Sequence, residues 1–497
     1  MNKKLILMVA GGMLLAGACA NAEVFPAPIF SDNMVIQANA PIRVWGTADK
    51  GEKVSVSFLN SSGSATADEN GYWRVDLPPV KKYVKEPTTM AIAGVNKIVY
   101  KNVLVGEVWL GSGQSNMQFQ IRHVKPMDEM IKKTDLPPNL RYFWIPATGS
   151  AAPQGMHSLP KEATWKTYHH DNYETTREMS VLLTLFAQRL SKELGDVPVG
   201  VINSSFGGAN LETWMSAKAI AEAGTAEDAK KLLEKCRSWH NDDVKRWEAK
   251  PLEKRNTLRF PRLNYESRPS HSFNAMMNPI VPYSIKGVLW YQGEMNSGAE
   301  LYLKQFPFYA KNMREIFENP KMPIYTVQLP DYKEPHWPKI RNVQRKLADI
   351  VPYSGVAVTI DGHEIDLHPR DKTMVVDRLL RMVLADNYGA KQIVARAPLV
   401  KSVKLEKGAV KATFKYTAKG LKLKDGDEAR CFEVAGADGK FYPAKAKIAS
   451  PQTVLVQVPK EVSDPATLRY AWEADPDVNL YNSGDLPASP FEEPIQR

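Results

Sequence analysis

The sequence predicts an α/β protein, a parallel sheet covered by helices and flanked at both ends by antiparallel β-sandwich regions. Three features carry that reading. Almost continuous apolar runs over 103–110, 198–202, 287–291, 324–329 and 356–360 read as strands buried on both faces. Helical stretches over 180–194, 305–317 and 373–388 are interleaved with them, the first and last followed by the C-capping residues Gly195 and Gly389. Before 103 and after 390 the pattern changes to period-2 alternation broken by Gly, Asn, Asp and Pro, the mark of half-buried antiparallel strands.

Residues 1–22 open with Lys3 and Lys4, run apolar from Leu5 to Ala18 and end Ala20-Asn21-Ala22, which reads as a secretory signal peptide and predicts export to the periplasm or beyond. A lipoprotein anchored through Cys19 is the alternative at this end, but Ala16-Gly17-Ala18 lacks the large aliphatic residue expected before a lipidated cysteine. No later apolar run approaches the ~18 residues that span a bilayer, so no transmembrane segment is expected. Cleavage leaves Cys236 and Cys431, which allows one disulfide and excludes both a disulfide scaffold and a multi-cysteine zinc site. Losing Lys3 and Lys4 lowers the formal charge from +10 to +8, and the basic residues are dispersed rather than blocked, so nucleic acid is not an expected partner. With 43% hydrophobic and 24% charged residues the chain is globular rather than disordered.

Residues 23–102 form the expected N-terminal β-sandwich region, with strands over 41–46, 53–58 and 72–77. Residues 103–390 form the parallel-sheet domain. A helical insertion at about 215–258 starts at a capping-box-like Thr225-Ala-Glu-Asp228 and sets Leu232, Leu233, Cys236, Trp239 and Trp247 along one side, as packing or substrate-rim material. Residues 391–497 form a C-terminal β-rich region with strands over 410–414 and 453–458 and a hairpin turn at Asp438-Gly439.

The strongest chemical signal is Gly111-Ser-Gly-Gln-Ser-Asn-Met117, directly after a predicted strand. Ser115 there stands at the carboxyl end of the sheet, where a nucleophile is exposed and backbone amides are at hand. The block lacks the third glycine of a dinucleotide loop and the second glycine of the α/β-hydrolase elbow. A serine needs a base, and the base needs orientation. Asp361-Gly-His-Glu-Ile-Asp-Leu-His-Pro369 follows the last strand and offers His368 with Asp366. A zinc reading of His363, Glu364 and His368 fails because the spacing is one residue longer than the metalloprotease pattern, and no metal or cofactor is expected. Asn203-Ser-Ser-Phe-Gly-Gly208 and Gln292-Gly-Glu-Met-Asn296 follow two further strands and supply glycine amides and side-chain amides, the donors an oxyanion needs.

In these motifs the chain resembles the sialate O-acetylesterase family of carbohydrate esterases, within the SGNH-hydrolase superfamily. Gly113-Gln-Ser-Asn-Met117, Asn203-Ser-Ser-x-Gly-Gly208, Trp290-Tyr-Gln-Gly-Glu294 and Asp366-x-His-Pro369 occur in family order, between the entry Phe30-Ser-Asp-Asn-Met-Val-Ile-Gln37 and the ending Asn479-Leu-Tyr-Asn482 to Leu486-Pro-Ala-Ser-Pro-Phe491. The resemblance implies a three-layer, flavodoxin-like SGNH-hydrolase domain. It implies Ser115 as nucleophile, His368 as general base and then acid, Asp366 as the orienting carboxylate, and the Ser115 and Gly208 amides in the oxyanion hole. The chain departs from the superfamily at the third oxyanion donor, for which Gln292 is preferred over Asn296. The spacing of Asp366 to His368 is also shorter than usual, which leaves Asp361 as an alternative and a Ser-His dyad conceivable. The implied activity is removal of O-acetyl groups from a glycan, sialic acid first and acetylated xylan as the alternative, without a cofactor. A glycan-binding protein with a vestigial triad is the reading from another class.

Overall fold

A central strand needs hydrogen-bonding partners along both edges, and the strand at the middle of this protein finds different ones as it proceeds. The computed structural model describes residues 23–251, 267–362 and 365–497. The signal-peptide reading at 1–22, the end of the predicted insertion at 252–258, and His363 and Glu364 lie outside the described residues. The principal sheet contains β1 (Lys97–Gly113), β2 (Leu140–Trp144), β3 (Val199–Ser205), β4 (Gly287–Tyr291), β5 (Ile324–Val327) and β6 (Ser354–Ala357), in the spatial order β2-β3-β1-β4-β5-β6. All of these neighbours pair in parallel. Trp165–Thr167 adds an antiparallel edge beside β2.

Alternation along these strands explains the continuous apolar runs. Val108, Leu110, Val288, Trp290 and Ile324 face one way, into a core with Tyr302, Phe306 and Tyr309 of α5 (Ala299–Ile316) and Trp337 and Ile340 of α6 (Trp337–Ile350). Trp109, Leu289, Tyr291, Tyr325 and Val327 face the other way, against Leu183 and Phe186 of α3 (Val181–Glu193) and Val376, Leu379 and Val383 of α7 (Thr373–Asn387). Both faces are therefore dry. The other helices used below are α1 (Ser115–Gln118), α2 (Lys125–Lys133) and α4 (Ala226–Glu248), the last within the predicted insertion.

Several elements differ from expectation for identifiable reasons. β1 runs on to Gly113 and β3 to Ser205 because Gly111–Gly113 pairs with Asn203–Ser205 on one side and with Leu289–Tyr291 on the other. α5 begins at Ala299 rather than 305 and continues through Pro307; burial of Tyr302, Phe306, Tyr309 and Met313 on one face outweighs the ~3 kcal/mol cost of an interior proline. No helix was expected where α6 stands, because its inner face carries the buried Arg341, Gln344 and Arg345, which break the apolar period. Cys236 is buried on α4 and Cys431 lies in the C-terminal region, and the disulfide the sequence allowed between them does not form.

The N-terminal strands are joined to the principal sheet. Val84–Ala93 pairs antiparallel with the first part of β1, and Val35–Gln37 pairs in parallel with its residues Leu104–Gly106. Gln37 also braces the join, donating to Glu107 at 3.0 Å and accepting from the Val108 amide at 2.7 Å. The C-terminal region instead builds two four-stranded sheets and a two-stranded one around a further core that includes Val410, Phe414, Phe432, Tyr470 and Phe491 and that Val358 and Ile360 join from beyond β6. The predicted hairpin is there, with Phe432–Gly436 against Phe441–Pro443 and Gly439 at φ +72°. Among the described residues no helix is long and apolar enough to cross a membrane.

Candidate active site

Ser115 is held by the way β1 ends. Gly113 has φ +135°, and a Cβ there would stand 2.1 Å from the Tyr291 carbonyl oxygen, so only glycine lets β1 and β4 approach this closely before the chain turns. Gln114 donates its amide to that same oxygen at 3.0 Å, and α1 starts at the next residue, Ser115. The turn after β3 lies alongside: the Gly207 amide donates to Gln118 Oε1 at 2.8 Å, and Gly208 adopts φ +78°. Among the described residues neither the Ser115 amide nor the Gly208 amide donates a hydrogen bond, which leaves both able to receive an anion.

His368 comes from the opposite side, on the loop between β6 and α7. Its Nε2 lies 2.7 Å from Ser115 Oγ, across 253 positions of sequence. The Phe119 ring stacks on the imidazole at 6.1 Å between centroids. Partial burial, and then the charge of Lys372, hold the His368 pKa below the ordinary imidazole value, while the charge of Asp366 opposes them. A neutral imidazole at this distance can take the serine proton.

The two candidate carboxylates are in different situations. Asp366 is exposed and accepts the His368 backbone amide at 3.0 Å, which fixes the turn rather than the ring. Among the described residues no carboxylate accepts from the imidazole Nδ1. Asp361 is turned away: it is paired with the Arg378 guanidinium at 2.6 and 2.8 Å and accepts from Tyr481 Oη at 3.1 Å. Tyr481 lies in the Asn479–Asn482 motif. Asn482 there donates to the Arg396 and Tyr416 carbonyls at 2.9 Å, so that motif braces the C-terminal region against the histidine loop.

Gln292 and Asn296 lie behind the serine. Gln292 Nε2 is directed to Gln114 Oε1 at 3.2 Å, the Ala209 carbonyl at 3.2 Å and Asn296 Oδ1 at 2.6 Å, and the residue is fully buried. Asn296 Nδ2 donates to Glu212 at 3.1 Å. Neither residue lines the cavity of about 150 Å³ over the serine, whose walls are Ser115, Gln118, Phe119, Gln120, His123 and His368.

Three residues to which the sequence reading gave no role tie the halves together. Asn116, wholly buried, donates to Glu294 at 2.8 Å and to the Leu367 carbonyl at 2.8 Å, and accepts from Lys372 Nζ at 2.7 Å. Glu294 is also buried, and desolvation raises its pKa against the opposing effects of Asn116 and Lys372. The only signal for Asn116 and Glu294 was their place inside the Gly113–Met117 and Trp290–Glu294 motifs; Lys372 had none.

A family model described as carbohydrate esterase, sialic acid-specific acetylesterase matches residues 261–373, a stretch that holds Gln292, Asn296, Asp361, Asp366 and His368 and leaves Ser115 outside. The chain is 26% identical to the sialate O-acetylesterase of Mus musculus, over 93% of each chain. It is 26% identical to that of Homo sapiens, covering 94% of this chain and 91% of the relative. Among solved structures, one described as a novel carbohydrate acetylesterase from Xanthomonas citri superposes with a TM-score of 0.79 at 28% identity, covering 95% of this chain and 99% of the other.

Proposed function

We propose, given that this chain is a carboxylic ester hydrolase related to the sialate O-acetylesterases, that it removes O-acetyl groups from sialic acid by way of an acetyl-enzyme on Ser115. The observation that carries this reading is the 2.7 Å contact between Ser115 Oγ and His368 Nε2. Ser115 Oγ attacks the acetyl carbonyl carbon as its proton passes to His368. The carbonyl oxygen becomes an oxyanion facing the Ser115 and Gly208 amides. Collapse breaks the ester bond, and the sugar oxygen leaves with the proton from His368. Water, losing a proton to the same imidazole, then attacks the acetyl-serine, and collapse breaks the acyl–Oγ bond, freeing acetate as the imidazolium returns its proton to Ser115 Oγ. Asp366 acts as the orienting carboxylate through its charge and its hold on the His368 turn. Gln292 and Asn296 serve the oxyanion hole from behind, by fixing Gln114 and the 207–209 turn.

The strand order, with helices on both faces, supports a three-layer, flavodoxin-like SGNH-hydrolase domain. Residues 23–102 and 391–497 are its flanking β regions, and the product of export is the chain from Glu23. A second reading has a specific support: the Xanthomonas citri neighbour is described as a carbohydrate acetylesterase, which admits other acetylated glycans such as xylan. Acetate release from a panel of O-acetylated sialic acids and acetylated xylo-oligosaccharides, with Ser115→Ala as control, tests both. Release from the sialic acids alone supports the first reading, and preference for the xylo-oligosaccharides supports the second. No release from either, with glycan binding retained, would make the protein a binding module.

A further inference from the structure

Between the edge strand Trp165–Thr167 and the short helix Tyr173–Thr176 the chain reads His169-His170-Asp171, and Asp135 meets this turn from just beyond α2. The four side chains form a closed set. His169 Nε2 lies 3.0 Å from Asp135 Oδ2, and His170 Nδ1 lies 3.0 Å from Asp135 Oδ1. The remaining ring nitrogens face Asp171, His169 Nδ1 at 3.1 Å and His170 Nε2 at 3.3 Å. The two rings lie 4.1 Å apart. The Asp171 amide also reaches His169 Nδ1, at 3.2 Å.

We infer that Asp135, His169 and His170 bind one divalent transition-metal ion of the zinc type, with Asp171 orienting the His170 imidazole from outside. One ligand atom from each of the three lies within 4.8 Å of the others. Tetrahedral zinc with bonds of about 2.0–2.2 Å places its ligand atoms roughly 3.3 Å apart, close to the 3.0 Å separations between Asp135 and the imidazoles. A cation between Asp135 and the nitrogens that face it, His169 Nε2 and His170 Nδ1, leaves the His170 Nε2–H for Asp171, 3.3 Å away. Carboxylates in that outer position are the usual partners of metal-bound histidines. Two imidazole nitrogens favour zinc or its neighbours over magnesium or calcium.

The ion would clasp the end of α2 to the sheet edge, where His170 already donates its amide to Asp135 at 2.7 Å and Leu136 donates to the Tyr168 carbonyl at 3.0 Å. None of the four residues lines the cavity over Ser115, so the metal is structural and independent of the acetylesterase reading.

The test uses the tag-free full chain, stripped with a chelator and dialysed, and titrated with Zn²⁺ against a chromophoric competitor. One equivalent binds, Tm rises by about 2 °C on adding Zn²⁺ but not Mg²⁺, and acetyl-ester turnover is unchanged by stripping. His170→Ala weakens Zn²⁺ binding at least 100-fold. Asp171→Asn, which keeps the size of the side chain, weakens it by about 10–100-fold, as loss of an outer carboxylate does elsewhere, and decides the matter if His170→Ala does not fold. Failure of Zn²⁺ to bind at about 100 μM, an equal Tm shift with Mg²⁺, or undiminished binding by both variants would overturn the site and reduce it to a hydrogen-bonded turn.

Discussion

The candidate active site has two halves built on different principles. The serine half stands on strand ends: Ser115, Gly208 and Gln292 each follow a strand of one sheet whose hydrogen-bond register fixes them relative to one another. The histidine half stands on a loop, and its position comes from side chains that reach it from elsewhere. Asn116 holds the Leu367 carbonyl, Arg378 holds Asp361, and Tyr481 reaches Asp361 from the C-terminal region. The sheet gives the nucleophile a position that depends little on any one side chain. The loop gives the base a position that depends on several, and it leaves the orienting carboxylate ambiguous from sequence.

The largest effects test whether the halves form one device. Ser115→Ala and His368→Ala should each lower acetyl-ester turnover by on the order of 10³-fold or more with Tm preserved, because members of such a unit fail together. Retention of most activity by either variant would separate the halves and end the assignment.

Asp361→Asn should act on the fold. It leaves the Arg378 guanidinium buried without its partner, a loss of about 3–5 kcal/mol readable as a lower denaturant midpoint. Turnover per folded molecule should stay within a fewfold of the parent. If instead turnover collapses in the folded protein, the orienting role passes to Asp361.

Within the serine half, Gln292→Ala should lower kcat by roughly 10²-fold, the size expected when one oxyanion donor is lost or displaced. Asn296→Ala should cost less and act mainly on KM, and steady-state constants for both variants rank them. Asp366→Asn should be milder, about tenfold in kcat, since it removes a charge and a turn bond but no reacting atom.

The smallest effect is the most diagnostic of the loop. His368 works in its neutral form, so kcat/KM should fall as pH drops through its pKa, with the midpoint below the ordinary imidazole value of about 6.5. Removing the nearby positive charge with Lys372→Met should move that midpoint up, and removing the negative one with Asp366→Asn should move it down. Midpoints that stay put in both variants would mean that burial alone sets the pKa.

Much of the fold was legible because the periodicities were pure. The strand at 287–291 lies where a continuous apolar run put it, and the strand at 53–58 and the helix after Ser180 lie where alternation and capping put them; Ser180 Oγ accepts the Leu183 amide at 3.3 Å as an N-cap should. α6 was missed because its buried face contains Arg341, whose guanidinium donates to the Pro330 and Ala474 carbonyls, and Gln344, which bonds the Leu329 amide and the Gln292 carbonyl. A polar residue satisfied by distant backbone looks, in sequence, like a solvent-facing one. The change of pattern at 102/103 is real, yet β1 runs through it unbroken. Alternation gives way to a continuous apolar run where the cover changes from one face to two, and cover can change without the strand ending.

Residue order along the chain was enough to name Ser115 and His368, since a nucleophile and its base must follow strands and their motifs are local. Their meeting at 2.7 Å was not in the order, because it depends on the parallel register that brings the ends of β1, β3 and β4 level and on where residues 365–372 place His368 over them. Nor could sequence divide the work between Asp361 and Asp366, which sit five positions apart in one loop with the same chemistry. Arg378 on α7 and Tyr481 beyond position 391 claim the first and leave the second beside the histidine. Short-range preference is written residue by residue, whereas the partner of a buried charge is chosen by packing between segments that the chain order keeps far apart.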